Sequence, residues 1–263
     1  MKREVALFKF AYHRPGWLDE IHANLRPEKW GKNLKVLELY LRSNFEIAKQ
    51  QGKVLEDEAN GRAIWRAGHL VTPAMDPVWL YYERNDERYD QKWRFQGVLI
   101  GPSPLEGIHG EDHTVTYSPP EFNPSWEIYI DPYSFQQHIL VHNKARLVAV
   151  LGEEIASNSH LVFRLIYGEI MLARKEAAGI MPQWYMNGYN FLMPLFLTSP
   201  NKVDLTAALM INETMKRYEL KTLLPPSYAY ANARAVVRSP VQFASWIALD
   251  DDTDIDEYED EDE

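Results

Sequence analysis

The side chains in this sequence that could do chemistry gather at a few places. His138 and His142 stand four apart, the spacing that sets two imidazoles on one helix face as metal ligands. Between them lie only Ile139, Leu140 and Val141, with no glutamate to act as a base, so a metal centre is not expected. The run His109-Gly110-Glu111-Asp112-His113 offers four potential ligands, but in a loop, where solvated charge is the simpler reading. Glu153-Glu154 and Asp86-Glu87 are sequence neighbours, and neighbours face one another on neither a helix nor a strand. The chain has no cysteine, which excludes thiol nucleophiles, thiolate metal sites and disulfides. It also has no glycine-rich phosphate loop, dinucleotide fingerprint or Gly-x-Ser-x-Gly elbow.

What remains is a recurring mixture of planar polar and aromatic residues. It appears as His138, Asn143 and Arg146, as Gln183-Trp184-Tyr185, and as Tyr228, Tyr230, Asn232 and Arg234. Aromatic rings stack on bases, guanidinium forks onto phosphate, and side-chain amides read base edges. The same residue types also serve as buried, hydrogen-bonded groups that fix loops, and the spacing alone does not separate the two uses.

The elements that must position these residues follow from periodicity. Trp17 to Leu25 and Leu34 to Gln51 carry apolar residues at helical spacing, the second closing at Gly52. Segments 62–66, 78–83 and 93–100 are rich in branched and aromatic residues and predict strands, with a Gly/Pro-containing loop between the first two. Pro102 to Pro124 holds five prolines and little periodicity; it reads as loop and is the one candidate boundary. A strand is expected at 126–130 and a short helix or irregular segment at 133–147. A long helix follows over 159–178, with apolar residues around more than half its circumference, which predicts a well-buried helix. Strands at 190–197, 204–211 and 218–224 and a helix or turn at 229–237 complete the chain. Strands and helices segregate, so the class is α+β, with a mostly antiparallel or mixed sheet packed with two long helices. No internal repeat stands out. The expectation is one globular domain over 1–249 followed by a disordered acidic tail over 250–263.

Charge supports that division. From Asp250 to Glu263, 11 of the 14 residues are acidic, and the other 27 acids against 28 Lys and Arg leave the rest of the chain at about +1. Residues 1–53 hold 11 basic residues against 6 acids. So acidic a tail cannot bury enough apolar surface to order itself. It reads as a solubilising segment, as a phosphate-mimicking competitor at a basic groove, or as a partner-binding tail. The basic, briefly apolar N-terminus is interrupted by Lys9 and does not predict a signal peptide, and no stretch is long enough to span a membrane. The absence of cysteine fits a reducing, cytoplasmic compartment.

Taken in order, several blocks resemble a bacterial family known as domain of unknown function 3825. They are Leu39-Tyr40-Leu41-Arg42-Ser43-Asn44-Phe45, His138-Ile139-Leu140 with Asn143 and Arg146, Met181-Pro182-Gln183-Trp184-Tyr185, 192–197, 204–209, Thr222-Leu223-Leu224, and Ala229-Tyr230-Ala231-Asn232-Ala233-Arg234. Gln137, Ser227 and Ala231 stand where the family pattern has Asp, Asp and Asn. The family's occurrence beside RNA-binding modules implies work on RNA. Together these readings predict an RNA-associated protein that binds a nucleotide or RNA segment, with metal-independent phosphoester or pyrophosphate hydrolysis as its enzymatic version and no cofactor. In that version His138 is the general acid/base, because an imidazole titrates near neutral pH. Asn143 and Gln183 line the ligand, Arg146 and Arg234 hold its phosphate, Asn232 orients it, and Tyr230 or Trp184 stacks on its base. The alternative is a non-enzymatic RNA- or protein-binding module regulated by the acidic tail.

Overall fold

The computed structural model describes residues 5–102, 104–105, 113–177, 179–185, 188–237 and 246. The acidic tail, and all of the 109–113 cluster except His113, lie outside these residues. The chain divides into two compact units, and the division falls between Tyr117 and Ser118, inside the proline-rich stretch.

The first unit runs α1 (Ala6–Phe10), β1 (Ala11–Tyr12), α2 (Trp17–His22), a 3-10 turn, α3 (Lys35–Gln50), then strands β2 (Leu55–Asp57), β3 (Arg62–Val71), β4 (Pro77–Arg84) and β5 (Trp93–Ile100). The order across its sheet is β1-β5-β4-β3-β2, an antiparallel meander with β1 added in parallel beside β5. Period-two alternation sends Ala63, Trp65, Leu80, Tyr82, Trp93 and Phe95 to one buried face. Helix α3 meets that face with Leu37, Leu41, Phe45 and Ala48, all buried, whereas Leu34, the first residue of the stripe its spacing predicts, precedes the helix with φ +57° and is half-buried. The Phe45 and Trp65 rings lie 5.3 Å apart, and Phe10 from α1 closes on both Phe45 (4.9 Å) and Tyr82 (5.5 Å). Each large side chain withdrawn this way contributes roughly 1.5–3 kcal/mol.

Two details go beyond the sequence reading. Strand β3 does not stop near Arg66 but continues to Val71 through Gly68, whose φ is +57°. A Cβ at Gly68 would stand within 2.4 Å of the Asn44 and Tyr40 side-chain oxygens on α3, so glycine is needed both for the left-handed backbone and for the close approach. The Tyr40 hydroxyl in turn donates to the Ala67 carbonyl and accepts from the His69 amide. The second detail is His13, which the aromatic rings of Phe8, Trp17, Tyr82 and Phe95 surround at 4.3–6 Å. Burial there lowers its pKa to about 4, so the imidazole is neutral at physiological pH.

The second unit runs β6 (Glu127–Tyr129), α4 (Pro132–Ser134), a π-helix (Phe135–His142), α5 (Lys144–Leu151), α6 (Glu153–Ala156), α7 (Ser159–Glu176), then β7 (Met181–Tyr185), β8 (Gly188–Leu195), β9 (Leu205–Asn212), β10 (Arg217–Leu224) and α8 (Pro226–Arg234). Its sheet order is β6-β10-β9-β8-β7. Phe191, Met193, Leu195, Leu205, Ala207, Leu209, Tyr218, Leu220 and Leu223 alternate onto one face and share a core with Phe135, Ile139, Leu147, Val162, Ile166 and Ile170 from the helical layer. Alternate residues Leu192, Thr206 and Ala208 point the other way and are buried as well; α8 packs against β7, β9 and β10 and covers that face. Helix α7 corrects the expectation of burial all round. Only Val162, Ile166 and Ile170 are buried, while Leu161, Phe163, Tyr167 and Leu172 remain exposed. Its apolar surface is broad, but the sheet reaches one side of it.

The α+β class is the one expected, carried by two mixed sheets, and α3 and α7 are the two long helices. Both units share one topology. In each, after α1 in the first unit, a short strand and helices lead into a four-stranded meander whose last strand pairs in parallel with that short strand. In each, that last strand bulges just past the parallel pairing, at Gln96 in β5 and Lys221 in β10. A topology repeats through patterning rather than residue identity, so the sequence shows no visible repeat. Among the described residues, no helix is long and apolar enough to cross a membrane.

Candidate functional site

All eight residues singled out by the sequence lie in the second unit, on four pieces of structure. His138 is in the π-helix, Asn143 at its end, and Arg146 in α5. Gln183 and Trp184 are on β7, and Tyr230, Asn232 and Arg234 are on α8.

Contacts join the first three along β10. Strand β6 pairs with β10 only as far as Glu219, so the remainder of β10 has an open edge on that side. Asn143 and Arg146 reach into this edge. The Asn143 amide donates one N–H to the His138 carbonyl and another to the Thr222 hydroxyl at 2.9 Å. One side chain thereby caps the end of the π-helix, where carbonyls lack helical partners, and fastens it to the strand. Arg146 Nη1 donates to the Leu223 carbonyl at 2.5 Å, and the guanidinium lies 5.7 Å from the Tyr228 ring centroid at the start of α8. Burial lowers the Arg146 pKa to about 10, partly offset by Tyr228, so the group stays cationic at neutral pH. His138 is half-buried and its ring lies 5.5 Å from that of His142. Among the described residues no group of three His, Asp or Glu side chains gathers as a metal site.

The other five residues are set apart from this cluster. Strand β7 is the far edge of the sheet, and α8 starts beside β10 and packs mainly on β7. Gln183 and Trp184 are 2% and 7% exposed. The Gln183 amide makes one long contact, 3.4 Å to the Phe191 carbonyl, and its Oε1 and the Trp184 indole N–H are buried without a hydrogen-bond partner. The Trp184 ring stands edge-on to Tyr189 at 5.1 Å. Tyr230 is buried and Asn232 half-buried. Arg234 is 2% exposed and donates to the Val237 carbonyl at 3.0 Å, a cation closing the last turn of its own helix. The structure therefore gathers His138, Asn143 and Arg146 at one strand edge and seats Gln183, Tyr230 and Arg234 on the α8 side of the sheet, while Trp184, opposite Tyr189, faces the other side with Phe191.

The sequence reading missed the π-helix and the function of Thr222, the Leu223 carbonyl and Tyr228 in holding the cluster together. Ile139-Leu140-Val141 is a continuous apolar run with no 3.6-residue period, so the wider helix leaves no signature. Glu219, further along β10, is bound by Asn212, Lys221 and Arg217, which hold its carboxyl at about 2 and leave it a poor base.

Neither a curated protein nor a solved structure matches the chain. A family model described as a domain of unknown function (DUF3825) matches residues 21–242, and the chain belongs to that family.

Proposed function

We propose that the chain is an RNA-associated protein that holds a nucleotide or RNA segment at the open edge of β10, with Arg146 as the phosphate-holding cation, Tyr228 as its aromatic neighbour and His138 beside them. The observation that carries this reading is the π-helix centred on His138. Such segments are rare and occur frequently at functional sites. Here the deviation sits at the histidine singled out by sequence, on a segment that Asn143 ties to the same strand that the partly buried Arg146 guanidinium contacts. Gln183, Tyr230 and Arg234 act on this site by seating α8, and through it Tyr228, rather than by touching ligand.

Hydrolysis is the enzymatic version of the same reading. The His138 imidazole serves as general acid/base toward a phosphoester or pyrophosphate whose charge Arg146 neutralises, without a metal. The test has two arms. Fluorescence anisotropy with a single-stranded RNA compares the wild-type chain with Arg146→Lys, which keeps the charge and loses the planar fork. Turnover of capped, triphosphorylated and plain RNA, with chelator present, compares it with His138→Gln. Binding weakened by Arg146→Lys with turnover abolished by His138→Gln supports the enzymatic version. Weakened binding without turnover in any protein leaves a binding module, and no binding by the wild type rejects the proposal.

A further inference from the structure

We infer a second RNA contact in the first unit: Tyr12 and Tyr89 form a stacking platform for a base of single-stranded RNA, and Arg94 takes the adjoining phosphate. It takes its ligand class from the reading above but uses none of the same residues.

Tyr12 is 40% exposed and Tyr89 55% exposed, unusual for large rings that face one another. Their centroids lie 6.1 Å apart with planes tilted by only 24°, a stack built in water rather than in the core. Both rings are held by local structure. Strand β1 alternates, so Ala11 is buried and Tyr12 points outward. Tyr89 belongs to the turn between β4 and β5, which Asn85 closes twice, its amide N–H bonding to the Lys92 carbonyl and its side chain to the Gln91 carbonyl. The Tyr89 amide itself donates to the Asp86 carbonyl at 3.0 Å. A platform already assembled loses little entropy when a base is added to it.

Arg94 is placed beside the stack by register. Ala11 and Tyr12 pair in parallel with Trp93 and Arg94, so buried Ala11 and Trp93 share the inner face while Tyr12 and Arg94 share the outer one. Arg94 is exposed and enters no described ion pair, whereas Arg88 and Lys92 on the neighbouring turn are engaged by Asp86 and by Glu56 and Glu58. The neighbouring cations are therefore engaged in place, and Arg94, which stands opposite Glu83 in the β4–β5 pair with Glu87 and Asp90 on the adjoining turn, is the described cation on this face that a phosphate would draw away from those carboxylates. Two exposed rings and one fork are the chemistry of single-strand recognition, in which stacking supplies affinity without reading sequence.

The test uses the full chain and a short fluorescein-labelled oligoadenylate, with anisotropy at several salt concentrations. Loss of one stacking ring is expected to weaken binding about tenfold in Tyr89→Ala and Tyr12→Ala, and Tyr89→Phe is expected to restore it. Arg94→Ala should flatten the dependence of log affinity on log salt by about 0.7, one phosphate's share on a single strand. Unfolding curves that match the wild type show that these surface changes leave the fold intact. If Tyr12→Ala and Tyr89→Ala bind like the wild type while Arg146→Lys is impaired, this inference fails and the β10-edge site stands. If the tyrosine variants are impaired and Arg146→Lys is not, the reverse holds. A wild-type chain that does not bind the probe overturns both.

Discussion

Acidification should destabilise the first unit through one residue, His13. Its ring is enclosed by Phe8, Trp17, Tyr82 and Phe95, and its Nε2 lies 3.4 Å from the Tyr82 hydroxyl. Desolvation is the main cause of its depressed pKa, about 4 in the folded chain against 6.5 for an unperturbed histidine. Above pH 6.5 the imidazole is neutral in both states and the group has no effect on the pH dependence. Between 6.5 and about 4 the unfolded chain binds the proton and the folded chain resists it, so stability falls as pH falls. At about 1.4 kcal/mol per pH unit, this amounts to about 2 kcal/mol between pH 7 and 5 and about 3 kcal/mol by pH 4. His13→Phe keeps a ring in the cage and removes the titration. The measurement is urea unfolding of both proteins at pH 7 and 5, together with an NMR titration of the His13 ring. The wild type should lose about 2 kcal/mol more than His13→Phe on going to pH 5. A His13 ring that titrates near 6.5, or two proteins that lose stability in parallel, would refute the argument that the cage excludes the charged form.

Other outcomes follow from contacts already described. Gly68→Ala should cost more than about 2 kcal/mol in urea unfolding, since it adds a Cβ against the Tyr40 and Asn44 oxygens and strains a left-handed residue. Asn143→Ala should cost about 2–3 kcal/mol, because it leaves the His138 carbonyl and the Thr222 hydroxyl without their donor in a buried place; an unchanged midpoint would mean that water replaces the amide. Arg234→Ala should lower the melting temperature by several degrees and leave RNA affinity near wild type, as expected for a side chain 2% exposed in a helix end; the opposite pattern would return it to the binding surface. Removing Asp250 to Glu263 takes away 11 acids and should tighten RNA binding at low salt, the gain fading as ionic strength rises. Equal affinities in anisotropy at low salt would leave the segment a solubilising role.

Much of the scaffold was legible from periodicity. The stripe Leu37, Leu41, Phe45 and Ala48 marked α3 and its buried face, alternation marked 93–100 as a strand, and two apolar runs around a turn marked 190–197 and 204–211. These signals are local, written in residues that sit within one element. The short pieces, β1, β2 and β7, carry too few residues to show a period, and they are ordered by the strands they join. The repeat of one topology in two units is likewise invisible, because strand order is a property of pairing between distant segments.

Residue types near a possible site could also be chosen from sequence, but their duties could not. His138, Asn143 and Arg146 are close in sequence, and only the open edge of β10 decides that Asn143 caps one carbonyl and that Arg146 serves another. Arg234 looked like a phosphate ligand by type, yet the turn of α8 and the sheet beneath it bury the guanidinium. Tyr12 and Tyr89 lie far apart along the chain and carry no motif, and it is the parallel pairing of β1 with β5 that sets their rings together. A sequence fixes which faces must be apolar. Whether a polar side chain ends in water, on a carbonyl or on a ring depends on which distant segment lies beside it, and that is settled only when the sheets close.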